Sequence, residues 1–500
     1  MISFILPIYR KPLEVVKKSI NSLLDQSYKD IEIIASFDGP DPVVESFVDS
    51  LVEKHPDKVK KVVSEWAGAC HARNAGFKES KGDIVSFWDA DCYAEPEMAS
   101  VWMMFFDEPK PCDFVYGQYK WTDPQYPGYD SEALFDPWLL KKYNFLCSMW
   151  PIRRDKVVEW DEKLTGLQDW DFWRRVVDNG AVGRFNRGYG FSTEFPDKES
   201  ISGQGVQKKI ERIKAIREKF QDPKSDILVL GYAHRREAIR VAKVLGADFF
   251  ANPHFYMIKD YKMILSIGFN PKEIEEISSI FHAAAPVTKR AIYWTGIDCM
   301  QLLYGPYAEV QKWRVAIKDS VALHFCPDTA SRNALAELGI EAEIMALPRE
   351  QGNLLDSLPA KFKVLVFVDD HFRPPIESVV RAMPDIAFEQ VVPDKDISLA
   401  NYSLILDFTV NRKLSNGSKN ALIQGRYLLS NIEAPYCGFI EMSDDLDKLK
   451  NELINKIRAY ENVKEINQEA RDYYLMESSP ETFKGKIQAL MTTQLEVVNV

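Results

Sequence analysis

The chain of 500 residues contains no apolar stretch approaching the roughly 18 residues that a membrane-crossing helix requires. No membrane span is therefore expected. The opening Met1-Ile-Ser-Phe-Ile-Leu-Pro7 is too short for the apolar core of a secretion signal and has no basic segment before it. Cysteine is scarce: seven residues, an odd number, far apart and never as Cys-x-x-Cys. Free thiols in a reducing compartment are the simplest reading, and a cytoplasmic location is expected. Basic charge is not in excess. The net charge of −11 argues against a broad nucleic-acid footprint, although a local basic patch, and with it a nucleic-acid partner, stays open. A glycine-rich phosphate loop is also missing, both after the first apolar run, where Pro7-Ile-Tyr-Arg10-Lys11-Pro stands, and after Gly231.

What is present is an ordinary globular composition, 46% hydrophobic and 27% charged. A chain of this length holds two or three domains. Short apolar runs alternate with helical periodicity throughout, which means parallel α/β layers. Ile2 to Ile8 and Ile31 to Phe37 read as buried strands, and Pro12 to Gln26 as a helix with Val16, Ile20 and Leu23 at helical spacing. Pro12 suits the first turn of that helix.

The chain is organised around Gly68 to Cys92. Here Gly68-x-x-x-Ala72-Arg73-Asn74-x-Gly76 precedes Gly82-Asp83, an apolar strand Ile84 to Trp88, and Asp89-Ala90-Asp91. Two carboxylates one residue apart at the mouth of a buried strand are costly without a compensating cation. Magnesium and manganese take such oxygen ligands and often only one or two from the protein, so Asp89 and Asp91 are the candidate metal ligands. Arg73 can grip a phosphate or hold the aspartates. A helix over Cys70 to Ser80 would turn its N-terminal amides toward a diphosphate. Asp-x-Asp alone also ends many strands as solvated turn or cap residues. His71 reads as a packed or surface residue.

The second chemical stretch is Leu164-Thr-Gly-Leu-Gln168-Asp169-Trp170-Asp171-Phe172-Trp173. Its apolar spacing starts a helix, and an aspartate there is favoured by the macrodipole. Capping is the competing role for Asp169, and Asp171 is the alternative base.

Taken in order, these motifs resemble the family 2 glycosyltransferases, inverting enzymes with a GT-A fold. The likeness covers residues 1 to about 205 and includes Pro7-Ile8-Tyr9 and Ser22-Leu23-Leu24-x-Gln26-Ser27-Tyr28. It implies that Pro7, Tyr9, Asp38, Arg73, Asn74, Asp89 and Trp170 contact a nucleoside-diphosphate sugar. It implies that Asp89 and Asp91 hold manganese or magnesium, and that Asp169 is the general base toward an acceptor hydroxyl. There are departures. Phe37 replaces the first of two aspartates at the second strand's end, so only Asp38 carries over and the usual uracil preference comes into doubt. Gln168 replaces a glutamate beside the base. No histidine stands in the closing loop after Phe191, where Glu194 is a candidate substitute ligand.

Basic helix Gln207 to Phe220 and linker Gln221 to Ser225 close this domain. Beyond it, His324 to Pro348 is similar to the hinge-side end of a GT-B glycosyltransferase's first half, while Asn411 to Gly425 lacks the Glu-x7-Glu donor motif. The expected fold class is therefore α/β: a GT-A domain with a mostly parallel, Rossmann-like sheet at 1–220, then GT-B-like Rossmann units at 226–358 and 359–480. The C-terminal half is expected to be an acceptor or partner module, with a second transferase site as the alternative. Two rival functions remain, a nucleotidyltransferase and a catalytically impaired sugar-binding scaffold.

Overall fold

The computed structural model describes residues 1–123, 135–194, 206–231, 234–249, 261–268, 274–295, 297–305, 308, 311, 321, 323–349, 354–390, 398–409, 414–443 and 445–492. The chain divides into two compact units, Met1–Lys224 and Ser225–Val500. That boundary falls inside the polar linker Gln221 to Ser225.

The first unit is a curled eight-stranded sheet with helices on it. Its strands are β1 (Ile2–Ile8), β2 (Ile31–Asp38), β3 (Val59–Ser64), β4 (Ile84–Phe87), β5 (Cys92–Ala94), β6 (Phe114–Trp121), β7 (Ile152–Arg153) and β8 (Gly183–Thr193). Its helices are α1 (Leu13–Leu24), α2 (Pro42–Lys54), α3 (Ala69–Glu79), α4 (Met98–Asp107), α5 (Pro137–Lys142), α6 (Gln168–Asp178) and α7 (Val206–Lys219). The strand order is β3-β2-β1-β4-β7-β6-β8-β5. The β3-β2-β1-β4 half is parallel, in register Ile5↔Ile34 and Ile5↔Phe87. Antiparallel β7 then joins β4 to β6.

Strands β1, β2 and β4 are buried on both faces, as their continuous apolar runs require. Because β2 and β4 lie on opposite sides of β1, the sheet has a switch point there, where α/β folds leave a crevice at the strands' carboxyl ends. Helix α3 covers β1 and β2 closely. A Cβ on Gly76 would stand 2.6 Å from Ile5 Cγ2, so glycine sets that helix-to-sheet distance. In the core, Phe4, Trp102 and Phe191 pack edge to face around Trp88.

The second unit contains two separate all-parallel sheets. The first runs β10-β9-β11-β12-β13-β14, formed by β9 (Ile227–Leu230), β10 (Asp248–Phe249), β11 (Met263–Ile267), β12 (Lys289–Tyr293), β13 (Leu323–Cys326) and β14 (Glu343–Ile344). The second runs β16-β15-β17-β18-β19, formed by β15 (Lys363–Val368), β16 (Ala387–Gln390), β17 (Leu404–Phe408), β18 (Tyr427–Ser430) and β19 (Gly438–Phe439). Each has its own apolar core. The whole chain is thus mixed α/β, with parallel sheets in both halves. The helix Leu446–Glu461 is followed by two more, Gln468–Glu477 and Pro480–Thr492, which the sequence reading did not separate.

Candidate active site

Three loops at the carboxyl ends of the parallel strands bring the candidate residues together. β4 ends at Phe87, and Asp89 and Asp91 follow it. Arg73 sits on the buried face of α3, itself almost fully buried. Its guanidinium donates from Nη2 to Asp89 Oδ1 at 3.0 Å and from Nη1 to Gln168 Oε1 at 3.2 Å. Its plane lies over the Trp160 ring, 4.5 Å from the centroid. Trp160 in turn stacks on Phe172 of α6. One side chain therefore ties the strand-end carboxylate to the first residue of α6.

Asp169 follows Gln168 in the first turn of α6. The turn before it is unusual, since Leu167 has φ 53°, the left-handed region that non-glycine residues rarely occupy. Such strain persists only where surrounding structure enforces it. Here the Gln168 amide is held at both ends, its Nε2 donating to the Leu164 carbonyl at 2.8 Å. Burial pushes the Asp169 carboxyl above the usual range. The Trp170 amide, Asn144 and Arg73 pull it back, and Asp89 pushes it up again. Arg73 and Asp89 both act on the Asp169 carboxyl, and Asp89 also acts on that of Asp91.

Asp171 differs. It is completely buried and closed off by Arg175, at 2.9 Å and 2.7 Å, and by Lys219 at 2.5 Å. It ties α6 to α7 and has no path to a substrate hydroxyl.

Asp91 accepts from Lys11 Nζ at 2.5 Å. Its carboxyl is pushed up by burial and by Asp89, and pulled down by Lys11. Asp89 also accepts from Ser148 Oγ at 3.3 Å. Each strand-end carboxylate thus has a protein cation against it, Lys11 on Asp91 and Arg73 on Asp89. Both are hard oxygen donors of the kind that a magnesium- or manganese-type ion takes. Among the described residues no three His, Cys, Asp or Glu side chains converge as a ready-made cage. Asp89 and Asp91 would be the protein's share. Glu194 is engaged elsewhere: it accepts from Tyr93 Oη and Thr122 Oγ1, both at 2.8 Å. The rest of the closing segment, 195–205, lies outside the described residues, as do residues 124–134.

Asp38 ends β2 and is nearly buried. Its Oδ1 accepts from the amides of Ala67, at 2.8 Å, and Gly68, at 2.9 Å, which orders the loop that starts α3. Pro7 is in β1, and Tyr9 lies just beyond its end, half-exposed. Two further expected contact residues have polar atoms engaged within the fold. Asn74 holds the Trp160 backbone through both ends of its amide and donates to Glu162. Trp170 is 2% exposed and donates its indole N–H to the Leu140 carbonyl.

Lys11 and Ser148 were missed from the sequence. Lys11 lies in the Arg10-Lys11-Pro segment, read only as a failed phosphate loop, and no local pattern predicts that it folds onto Asp91.

Residues 3–157 match the family model described as glycosyl transferase family 2. An uncharacterized glycosyltransferase of Methanocaldococcus jannaschii is 23% identical over 201 residues, 36% of this chain and 65% of that protein. One from Nostoc is 37% identical over 81 residues, 16% of this chain and 25% of that protein. The chain thus spans less than two thirds of the length of these relatives. Among solved structures, a Pyrobaculum calidifontis mannosyltransferase in complex with GDP-Man and Mn2+ aligns at 15% identity and TM-score 0.35, over 45% of this chain and 65% of that one. TarS of S. aureus, residues 1–349 with UDP-GlcNAc, aligns at 16% identity and TM-score 0.34, over 64% of this chain and 80% of that one.

Proposed function

We propose that the N-terminal unit, which carries the family 2 glycosyl transferase match, moves a sugar from a nucleoside-diphosphate sugar to an acceptor hydroxyl with inversion at the anomeric carbon. The observation that carries this reading is the Arg73 bridge, which ties the strand-end carboxylate Asp89 to Gln168, the residue before Asp169.

In this reading Asp169 takes the proton of the acceptor hydroxyl as that oxygen attacks the anomeric carbon. Burial favours such a base, because a carboxylate poorly solvated by water and raised in pKa is a stronger proton acceptor. Asp171 is excluded from the role by its two cations. Arg73 positions the turn and offers donors to the diphosphate; its Nε–H is buried with no partner among the described residues. Pro7, Tyr9 and Asp38 line the nucleoside end. Asp89 and Asp91 would hold a divalent ion, magnesium or manganese, which when bound offsets charge on the departing diphosphate. The leaving group keeps its electron pair and departs as the nucleoside diphosphate.

The C-terminal half is proposed to serve the acceptor or a partner. The test is product analysis with a panel of nucleotide sugars and either metal. Release of nucleoside diphosphate, lost in Asp91→Asn and Asp169→Asn, supports the reading. Release of pyrophosphate would point to nucleotidyl transfer instead, and no metal-dependent release would favour a binding scaffold.

A further inference from the structure

The loop between β3 and α3 places a second aromatic ring beside the nucleoside end of the crevice. Trp66 is 51% exposed and Tyr9 is 48% exposed. These two half-exposed rings stand together rather than singly. The two rings meet edge to face, 5.5 Å apart at 87°. Arg10 lies 5.2 Å from the centroid of each. Arg10 itself has φ 45°, a left-handed backbone that side chains avoid. So a strained residue holds a guanidinium over both aromatic faces.

The backbone fixes Trp66 there. The two amides that follow it, Ala67 and Gly68, are the ones that donate to Asp38 Oδ1. The ring lies directly against Gly39, where an added Cβ would stand 2.1 Å from Trp66 Cδ2. Gly39 also has φ 83°, so that position is closed to other residues on two counts. The Asp38-Gly39 turn and the Trp66 loop therefore form one unit: the carboxylate orders the loop, and the glycine leaves room for the ring.

We infer that Trp66 is a nucleobase-reading residue, its ring forming with Tyr9 and Arg10 the slot that takes the base of the donor nucleotide. This rests on the proposed transfer from a nucleoside-diphosphate sugar. Stacking suits the geometry: every base has a π-face, an indole is the widest platform available, and Arg10 adds a cation to the same stack. Asp38, held rigid beside it, supplies an acceptor for a base N–H or ribose hydroxyl.

The test is calorimetric titration of the full-length chain, with magnesium, against UDP, GDP, ADP and CDP, and against inorganic pyrophosphate as the probe without a base. Wild type is expected to bind at least one nucleoside diphosphate more tightly than pyrophosphate. Trp66→Ala is expected to lose roughly ten- to a hundredfold of that nucleotide's affinity while leaving pyrophosphate unchanged, and Trp66→Phe to retain most of it. Melting curves of both variants, expected to match wild type, check that the half-exposed ring is dispensable for folding. A nucleotide-over-pyrophosphate margin that survives Trp66→Ala overturns the inference and leaves the transferase reading standing. The absence of any such margin in wild type overturns both.

Discussion

Arg73 and Gln168, ninety-five positions apart in the chain, meet at 3.2 Å, and the same guanidinium holds Asp89 at 3.0 Å. The contact joins α3, the end of β4 and the start of α6. Because Gln168 is neutral, Arg73 keeps more of its charge for a ligand than it would beside a glutamate.

Replacing Arg73 tests that joint. Arg73→Lys keeps the charge but presents a single ammonium, which cannot reach Asp89 and Gln168 in two directions at once. Turnover of a nucleotide sugar should fall by about a hundredfold, in the range of a lost positioning contact. Gln168→Ala should cost less. In a double-mutant cycle the pair should be non-additive, measured by kcat/KM.

Asp169 and Asp171 should respond in opposite ways. Asp169→Asn should remove activity by about two to four orders of magnitude, as for loss of a general base, with an unchanged or higher melting temperature, since burial opposes its charge. Asp171→Asn should destabilise by about 3 kcal/mol, because it strips a fully buried carboxylate from Arg175 and Lys219. Thermal melts and turnover of the two variants, measured side by side, check both halves.

The pH dependence follows from the same carboxyl. Asp169 is raised in the folded chain, so it is a base only above that raised value, and kcat/KM should fall on acidification above the usual aspartate range. Its contribution to stability has the opposite sense: it is present below the unfolded pKa and is lost as pH rises through the folded one.

Glu32 gives the contrasting case. Burial alone would raise it, but Lys60, Ser3 and the Lys81 amide outweigh burial and hold it low. Its contribution is present above the unfolded pKa and disappears as pH falls through the folded one. Glu32→Gln should weaken the acid dependence of the melting temperature without altering substrate affinity, since Glu32 braces the opposite end of β1 and β2 through Ser3 and Lys60.

How much of this was legible in the sequence depends on range. β1, β2, β4 and α3 were readable because each carries its own apolar run or helical spacing, and the helix at Gln168 because Trp170, Trp173 and Val176/Val177 recur at 3 and 4. Short antiparallel β5 carries no alternation, and β8 is broken by Gly188 and Gly190, so neither was foreseen. Gln468–Glu477 buries only Ala470 and Arg471, too little to mark a face. The site behaved likewise. Asp89, Asp91 and Asp169 stand in motifs, whereas Lys11, Ser148 and Trp66 acquire roles only from contacts distant in the chain, with Asp91, Asp89 and Tyr9. Asn74 and Trp170 show the reverse, motif residues whose polar atoms the fold itself occupies.

The most direct test is the rate at which nucleoside diphosphate leaves a nucleotide sugar, with manganese or magnesium supplied, for wild type, Asp91→Asn and Asp169→Asn of equal melting temperature. A wild-type rate that drops by two orders of magnitude or more in each variant is the predicted result. Wild-type rates in both variants would contradict the claim that these two carboxyl groups serve one reaction.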